Sequence, residues 1–350
     1  MRLMRVRRRT LRSLAICAVS GASGASIGFG YTLLIDGTAA VGASIGLVIG
    51  LSIAAFEVFA VAGTGPAGSY LRRLSLPVFV GVTTLIWAVI IVASLYAIPW
   101  IHDSSVPPYP YSESTFRQDF TFSFLISLLL NAAIRVRALV GSRVLFNFLL
   151  GRYHRPVREE RIFLFLDLKD SSALAEQLGD IRVQSLISRF FFDISGPVVD
   201  FGGETHRYIG DEVVATWPLG SPADNARAVL CLLEIQALIT RRADWYQRQL
   251  GAVPRFRAGL HGGPVVASEV GDDKREIVYF GDTINTAARL QDLCRSYQRS
   301  FLVSGELLNR MRLPEHVATE RLGEATLRGK THTVEVYAVS TQSGQEYRAT

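Results

Sequence analysis

Two patterns of hydrophobic and polar positions divide the chain. In the first part, long apolar stretches run without a break from Ser13 to Ile35, Ala39 to Ala62, Leu76 to Ile98 and Phe120 to Ile134. A helix needs ~20 mostly apolar residues to cross a bilayer. The first three stretches therefore predict transmembrane helices, and the fourth predicts one that Arg135 and Arg137 cut short. From Arg161 onward the apolar runs are short and separated by polar turns. RIFLFLDL (residues 161–168) is the continuous apolar run of a buried strand, closed by an acid. KDSSALAEQLGD then enters an amphipathic helix through Asp170, Ser171 and Ser172. In THRYIGDEVVATWP two β-like runs flank Gly210-Asp211, the pattern of a hairpin turn.

The expected organisation is a basic N-terminus (1–12), a membrane domain of about four transmembrane α-helices (13–138), a juxtamembrane linker (139–160), a soluble α+β domain (161–341) and a tail (342–350). Within the linker, Leu145–Leu150 continues the apolar character of the fourth helix, and Arg152–Arg161 reads as a solvated hinge. A mean hydropathy of +0.25 is high for a soluble protein and agrees with a membrane half.

Charge orients that half. The formal net charge is +6, and Arg2, Arg5, Arg7, Arg8, Arg9 and Arg12 cluster at the start. Such a cluster marks either a nucleic-acid patch or the cytoplasmic flank of a span. An apolar run follows at once, which selects the membrane reading and no nucleic-acid partner. A signal peptide is the other reading of the first segment, and the three further apolar segments weigh against it. Arg72 and Arg73 follow the second segment, and Arg135, Arg137, Arg143, Arg152 and Arg155 follow the fourth. The loops around Asp36 and from His102 to Asp119 are poor in basic residues. The positive-inside rule then places both termini and the soluble domain in the cytoplasm, on a multi-pass cell-membrane protein. Three scattered cysteines, Cys17, Cys231 and Cys294, predict neither a disulfide framework nor a zinc site.

Gly24 and Gly28 in the first segment, and Gly42, Gly46 and Gly50 in the second, repeat every four residues. This spacing lets helix backbones approach closely in lipid, although glycine is also simply common in membrane helices. Glu57 is an ionisable group inside a span; it faces either a partner or cavity, or the interface.

The soluble half carries the chemistry. A strand that opens onto a helix N-terminus presents free amides to an anion, and Asp167 at the strand end would hold a cation against the same anion. Strand–Asp–helix occurs in many folds, and Gly-Asp in many turns. Together, Asp167 and Asp211 are candidates for a two-cation centre of hard oxygen ligands. Asn285 and Arg289, four apart on one helix, project from one face. An arginine there can fork onto phosphate oxygens.

FLDLKDSS, RYIGDEVVATW, GLHGGPVVASEVG, YFGDTINTAARLQ and LRGKTHTVEVY, in that order, resemble the motifs of class III adenylate and guanylate cyclases over roughly Arg161 to Val339. The resemblance implies a ferredoxin-like βαββαβ domain that converts ATP, or GTP, to the cyclic nucleotide at a homodimer interface. It implies that Asp167, Asp211 and the Leu168 carbonyl bind two Mg²⁺ or Mn²⁺ ions, and that the amides of Asp170, Ser171 and Ser172 cradle the triphosphate. Asn285 and Arg289 match the pair that orients the ribose and stabilises the transition state, and Lys330 matches the lysine that reaches the triphosphate. The base-reading positions are Arg207 and Val278, where adenylate cyclases carry lysine and an acidic residue or threonine. Arginine keeps the charge with a different geometry, and valine offers no hydrogen bond to a base. Asp170 replaces a glycine often found there and is expected to act as a helix N-cap. Adenylate cyclase is the favoured reading; a guanylate cyclase and a catalytically silent nucleotide-binding regulator are the rivals.

Overall fold

The computed structural model describes residues 2–34, 39–61, 66–71, 74–102, 113–140, 151–272, 275–327 and 333–341. The chain forms two compact units, Met1–Leu145 and Phe146–Thr350.

The first unit is helical: α1 (Arg2–Leu34), α2 (Ala39–Ala55), α3 (Pro66–Leu71), α4 (Leu76–His102) and α5 (Glu113–Val140), with a π-helical stretch, Phe56–Val61, extending α2 past Glu57. The repeated glycines face one another. Gly24 meets Gly46, Gly28 meets Gly42, and Gly50 meets Ser20, so closely that a Cβ added at Gly24, Gly28, Gly46 or Gly50 would strike the opposite helix's carbonyl oxygen. The spacing noted in the sequence is thus an antiparallel seam between α1 and α2 within one chain. α4 presents Trp87, Ile91 and Leu95 as a buried stripe. Polar groups pair where helices meet: Tyr31 Oη donates to Asp119 Oδ1 at 2.8 Å, and Asn131 Nδ2 donates to Thr83 Oγ1 at 3.4 Å. The Tyr31 ring also stacks on Phe122, with centroids 4.0 Å apart.

Among the described residues, three helices are long and apolar enough to cross a membrane: Ser13–Leu34, Ala39–Val61 and Pro77–Ile98. The fourth expected span is helical but differs in composition. Arg117 and Asp119 before it, and Arg135 and Arg137 after it, leave only Phe120–Ile134 free of charge. That stretch covers about 22 Å, against a hydrocarbon core of about 30 Å.

In the second unit, β1 (Val157–Leu168), α6 (Ser171–Leu178), α7 (Asp180–Asp200), β2 (Glu204–Ile209), β3 (Glu212–Pro218), α8 (Pro222–Arg241), α9 (Ala243–Leu250) and β4 (Phe256–Val270) are followed by β5 (Glu276–Phe280), α10 (Asp282–Ser296), β6 (Phe301–Ser304), α11 (Gly305–Leu308), β7 (Val317–Thr326) and β8 (Thr333–Thr341). The eight-stranded sheet runs β2-β3-β1-β4-β6-β8-β7, with β5 paired to β4. Its first four strands, in the order β2-β3-β1-β4, are the ferredoxin-like βαββαβ arrangement. β1 lies between β3 and β4, and Ile162 through Leu166 are all buried, which is why the sequence there is uniformly apolar. Ile162, Leu164, Leu166 and Leu168 share a core with Phe190 and Ile194 of α7 and Leu232 and Ile235 of α8.

β1 starts at Val157, four residues before the expected strand, so the stretch read as a solvated hinge is partly built into the sheet. Tyr153 is buried, and its hydroxyl donates to Glu159 Oε1 at 2.6 Å. Glu160 pairs with Arg310 at 2.8 Å. The expected continuation of the fourth helix over Leu145–Leu150 lies outside the described residues.

Candidate active site

Asp167 and Leu168 end β1, and the chain turns at once into α6. Antiparallel register sets Asp167 opposite Glu212 of β3 on one side and Arg257 of β4 on the other. Asp211 lies in the two-residue turn between Ile209 and Glu212, where Gly210 has φ 60°, the left-handed conformation a tight hairpin of this kind requires. The hairpin brings the Asp211 carboxyl to that of Asp167. Burial first, then the charge of Asp211 and a hydrogen bond with it, push the Asp167 carboxyl up to about 6. Burial and the charges of Asp167, Asp292 and Asp211 push Glu212 up to about 7.

Two donors hold Asp167 from behind. Arg257 Nη2 lies 3.5 Å and Gln291 Nε2 3.3 Å from the same oxygen, Oδ2. The Arg257 Nε is buried without a partner among the described residues. Gln291 reaches Asp167 because α10 lies against β4: a Cβ on Gly259 would strike the Gln291 amide nitrogen. Lys169 Nζ donates to Ser300 Oγ at 3.1 Å, and burial followed by the Arg257 charge lowers its pKa.

Asp170 corrects an expectation. It occupies the N-cap position of α6, but in the left-handed conformation (φ 57°, ψ 32°) and with no capping bond from its side chain. The left-handed turn rather than a side-chain cap shapes the helix start. Aspartate is among the few residues besides glycine that enter this region readily. The amides of Ser171 and Ser172, which a helix cannot satisfy internally, open at the same end of β1 as Asp167.

On the neighbouring strands, Arg207 Nη2 of β2 forms an ion pair with Glu276 Oε2 of β5 at 2.7 Å. Val278 follows two residues later, on the same side of β5, and is half-buried. Beside this pair, the His206 ring packs edge-on against Tyr279 with centroids 5.0 Å apart, and burial lowers the imidazole pKa to about 4.

α10 buries Thr286, Ala287, Leu290, Gln291 and Cys294. Asn285 is exposed and Arg289 half-exposed on another face. Neither makes a hydrogen bond or ion pair among the described residues, so the structure brings Asp167 and Asp211 together and leaves Asn285 and Arg289 unengaged among those residues. Lys330 lies outside the described residues.

Sequence reading passed over Glu212, Arg257, Glu276, Gln291 and Asp292. Glu276 stands one strand repeat before Val278, a spacing that could have drawn it in. Arg257 and Gln291 depend on the register of β4 and on which face of α10 is buried, and neither is local information.

Among the described residues, no group of three or more His, Cys, Asp or Glu side chains forms a metal cage. Two adjacent carboxyls with a nearby backbone carbonyl suit a cation that takes one or two carboxylates and completes its shell with water and substrate phosphates, as Mg²⁺ does. The raised pKa of Asp167, to which the Asp211 charge contributes, is what a bound cation would relieve.

The family described as the adenylate and guanylate cyclase catalytic domain matches residues 156–341. Adenylate cyclase 2 of Rhizobium meliloti (strain 1021) is 44% identical over 210 residues, covering 60% of this chain and 58% of that protein. Adenylate cyclase 1 of the same organism is 28% identical over 187 residues, covering 52% and 28%. The adenylate cyclase of Anabaena cylindrica is 23% identical over 182 residues, covering 50% and 36%. The chain therefore spans less than two thirds of the length of these curated relatives. Among solved structures, a bacterial light-regulated adenylyl cyclase is similar in fold, with a TM-score of 0.55 at 22% identity over 65% of this chain and 64% of that one.

Proposed function

Because the chain belongs to the adenylate and guanylate cyclase family, we propose that it is a membrane-bound adenylate cyclase, converting ATP to 3′,5′-cyclic AMP and pyrophosphate. The observation that carries this reading is the Asp167–Asp211 carboxyl pair, joined by a hydrogen bond where β1 opens onto a helix N-terminus. The 44% identical relative that is called an adenylate cyclase supports ATP over GTP.

In this reading Asp167, Asp211 and the Leu168 carbonyl hold two Mg²⁺ or Mn²⁺ ions, which supply a lowered pKa for the ribose 3′-hydroxyl and neutralise charge on the leaving phosphates. Arg257 and Gln291 fix the Asp167 carboxyl from behind, so that its other oxygen stays aimed forward. The amides at Asp170, Ser171 and Ser172 receive phosphate oxygens at the positive end of α6. Asn285 orients the ribose, and Arg289 donates a forked pair of hydrogen bonds as charge builds on the α-phosphate. Lys330 is assigned to the triphosphate by resemblance, and Arg207 and Val278 to the base.

Asn285 and Arg289 have no partner among the described residues of their own chain, which favours a homodimer in which each acidic pair meets the α10 face of the other copy. The basic N-terminus and the arginines after α5 support both termini and the cyclase domain on the cytoplasmic side. That topology requires α5 to span as well, and its buried polar contacts with α1 and α4 favour its place in the bundle. The working division is 1–12, 13–138, 139–160, 161–341 and 342–350, with the membrane domain acting as anchor and regulator.

The test is purified full chain with Mn²⁺ and either ATP or GTP. Cyclic AMP is the expected product. Cyclic GMP alone would reassign the base, and no cyclic product from either nucleotide would overturn the cyclase reading. Asp211→Ala is expected to reduce product to background.

A further inference from the structure

α10 has two chemically different faces, and the cyclase reading uses residues on both. Asn285 and Arg289 stand on the outer face, exposed and half-exposed. Gln291 follows Arg289 by two residues, a step that turns about 200° around a helix and rises about 3 Å along it. It therefore points inward, where it is 5% exposed and its Nε2 donates to Asp167 Oδ2 at 3.3 Å. The inner face is fixed to β4 near both ends of the helix. Thr283 Oγ1 donates to the Pro264 carbonyl at 2.7 Å, and Cys294 Sγ donates to the Ala258 carbonyl at 3.4 Å. Between these anchors Gly259 lets the helix backbone approach, since a Cβ there would strike the Gln291 amide nitrogen.

We propose that Gln291 is a positioning residue for Asp167 of its own chain, so that α10 serves two active sites at once. Its inner face holds the acidic pair of its own chain, and its outer face supplies Asn285 and Arg289 to the other copy. The inference rests on the homodimeric cyclase reading above. A carboxylate turns freely about its side-chain torsions unless one oxygen is held, and donors that hold it raise its affinity for a cation. Asp167 Oδ2 has two such donors, Arg257 of β4 at 3.5 Å and Gln291 of α10 at 3.3 Å. Gln291 is the nearer of the two, and it alone belongs to the helix that carries Arg289. Each active site then draws on both copies of α10, one through Gln291 and the other through Arg289. Substitutions at these two positions of a single chain damage different sites.

The experiment uses the full chain and Gln291→Met, which keeps the length of the side chain and removes the donor. On its own the substitution is expected to raise, about tenfold or more, the Mn²⁺ concentration that half-saturates the melting-temperature shift. An unmoved midpoint overturns the proposal. The second arm uses a dimer with one working site, made by co-expressing Asp211→Ala and Arg289→Ala chains. That site takes its acidic pair from the Arg289→Ala chain and its arginine from the Asp211→Ala chain. Gln291→Met is expected to raise the Mn²⁺ requirement for cyclic AMP formation about tenfold more in the Arg289→Ala chain than in the Asp211→Ala chain. Both placements carry the same folding burden, so misfolding cannot produce the difference. A helix merely displaced by the substitution gives the reverse pattern, because it carries the working Arg289, and that result overturns the proposal. Equal effects in the two placements also overturn it. If the parent pair recovers no activity, the shared-site dimer and this inference fall together; recovery without a difference between placements takes down this inference alone.

Discussion

At the scale of residues, the centre is a balance of charge. The ordinary values of 3.8 for Asp167 and 4.5 for Glu212 rise to about 6 and about 7 in the folded protein. The folded, cation-free state therefore holds protons that the unfolded chain would release. The contribution of these groups to stability is present below their ordinary values and is lost as pH rises to about 7. Mn²⁺ is accordingly expected to raise the melting temperature more at pH 7.5 than at pH 5, and its half-saturating concentration should climb as pH falls below about 6; titration by differential scanning fluorimetry in detergent measures both. Arg289→Ala is expected to lower kcat about 10²- to 10³-fold with little change in melting temperature, because the side chain has no partner to lose among the described residues. Asp167 and Asp211 were legible in the sequence because each stands at a punctuation of the backbone, a strand end and a Gly-Asp turn. Arg257, Gln291 and Glu276 were not, since each acquires its meaning from a strand or helix distant in sequence.

Elements show the same division between local and distant information. The apolar run of β1 announced a strand buried on both faces, but its start did not. Glu159 and Glu160 read as part of a solvated hinge until Tyr153, Arg161 and Arg310 supply their partners. The glycine repeats of α1 and α2 predicted close approach without saying to what, and the answer is each other. Gly46→Leu is expected to part the α1–α2 pair and lower the melting temperature of the full chain, because the added side chain meets backbone rather than a movable side chain. In the second unit, Gly259→Ala pushes on the backbone of α10 at Gln291. It should cost activity and weaken Mn²⁺ binding together, because Gln291 also holds the Asp167 carboxyl, and a metal titration beside a rate measurement reads both.

For the whole molecule, the acidic pair and the unengaged Asn285–Arg289 face lie on separate elements, β1 with the β2–β3 turn, and α10. Mixing Asp211→Ala chains with Arg289→Ala chains is expected to restore activity that neither has alone. With random pairing, half the dimers are mixed and each carries one intact site of two, so about a quarter of the original rate should return. No recovery on mixing would place both sets of groups in one chain. Comparing the full chain with residues 156–350 tests whether the membrane half acts on the rate; equal activity at equal concentration would reduce it to an anchor. The βαββαβ core was implied by the family resemblance, whereas the attachment of β6, β8 and β7 beyond it was not legible, because β6 pairs with β4 and β8 across intervening elements.

The left-handed turn at Asp170 limits what can replace it. Glycine, asparagine and aspartate tolerate that conformation, and one nucleotide change in an aspartate codon reaches either of the others. Neutral drift at this position can therefore add or remove a negative charge at the mouth of α6 while leaving the backbone path intact, a way for a lineage to adjust its phosphate affinity one mutation at a time.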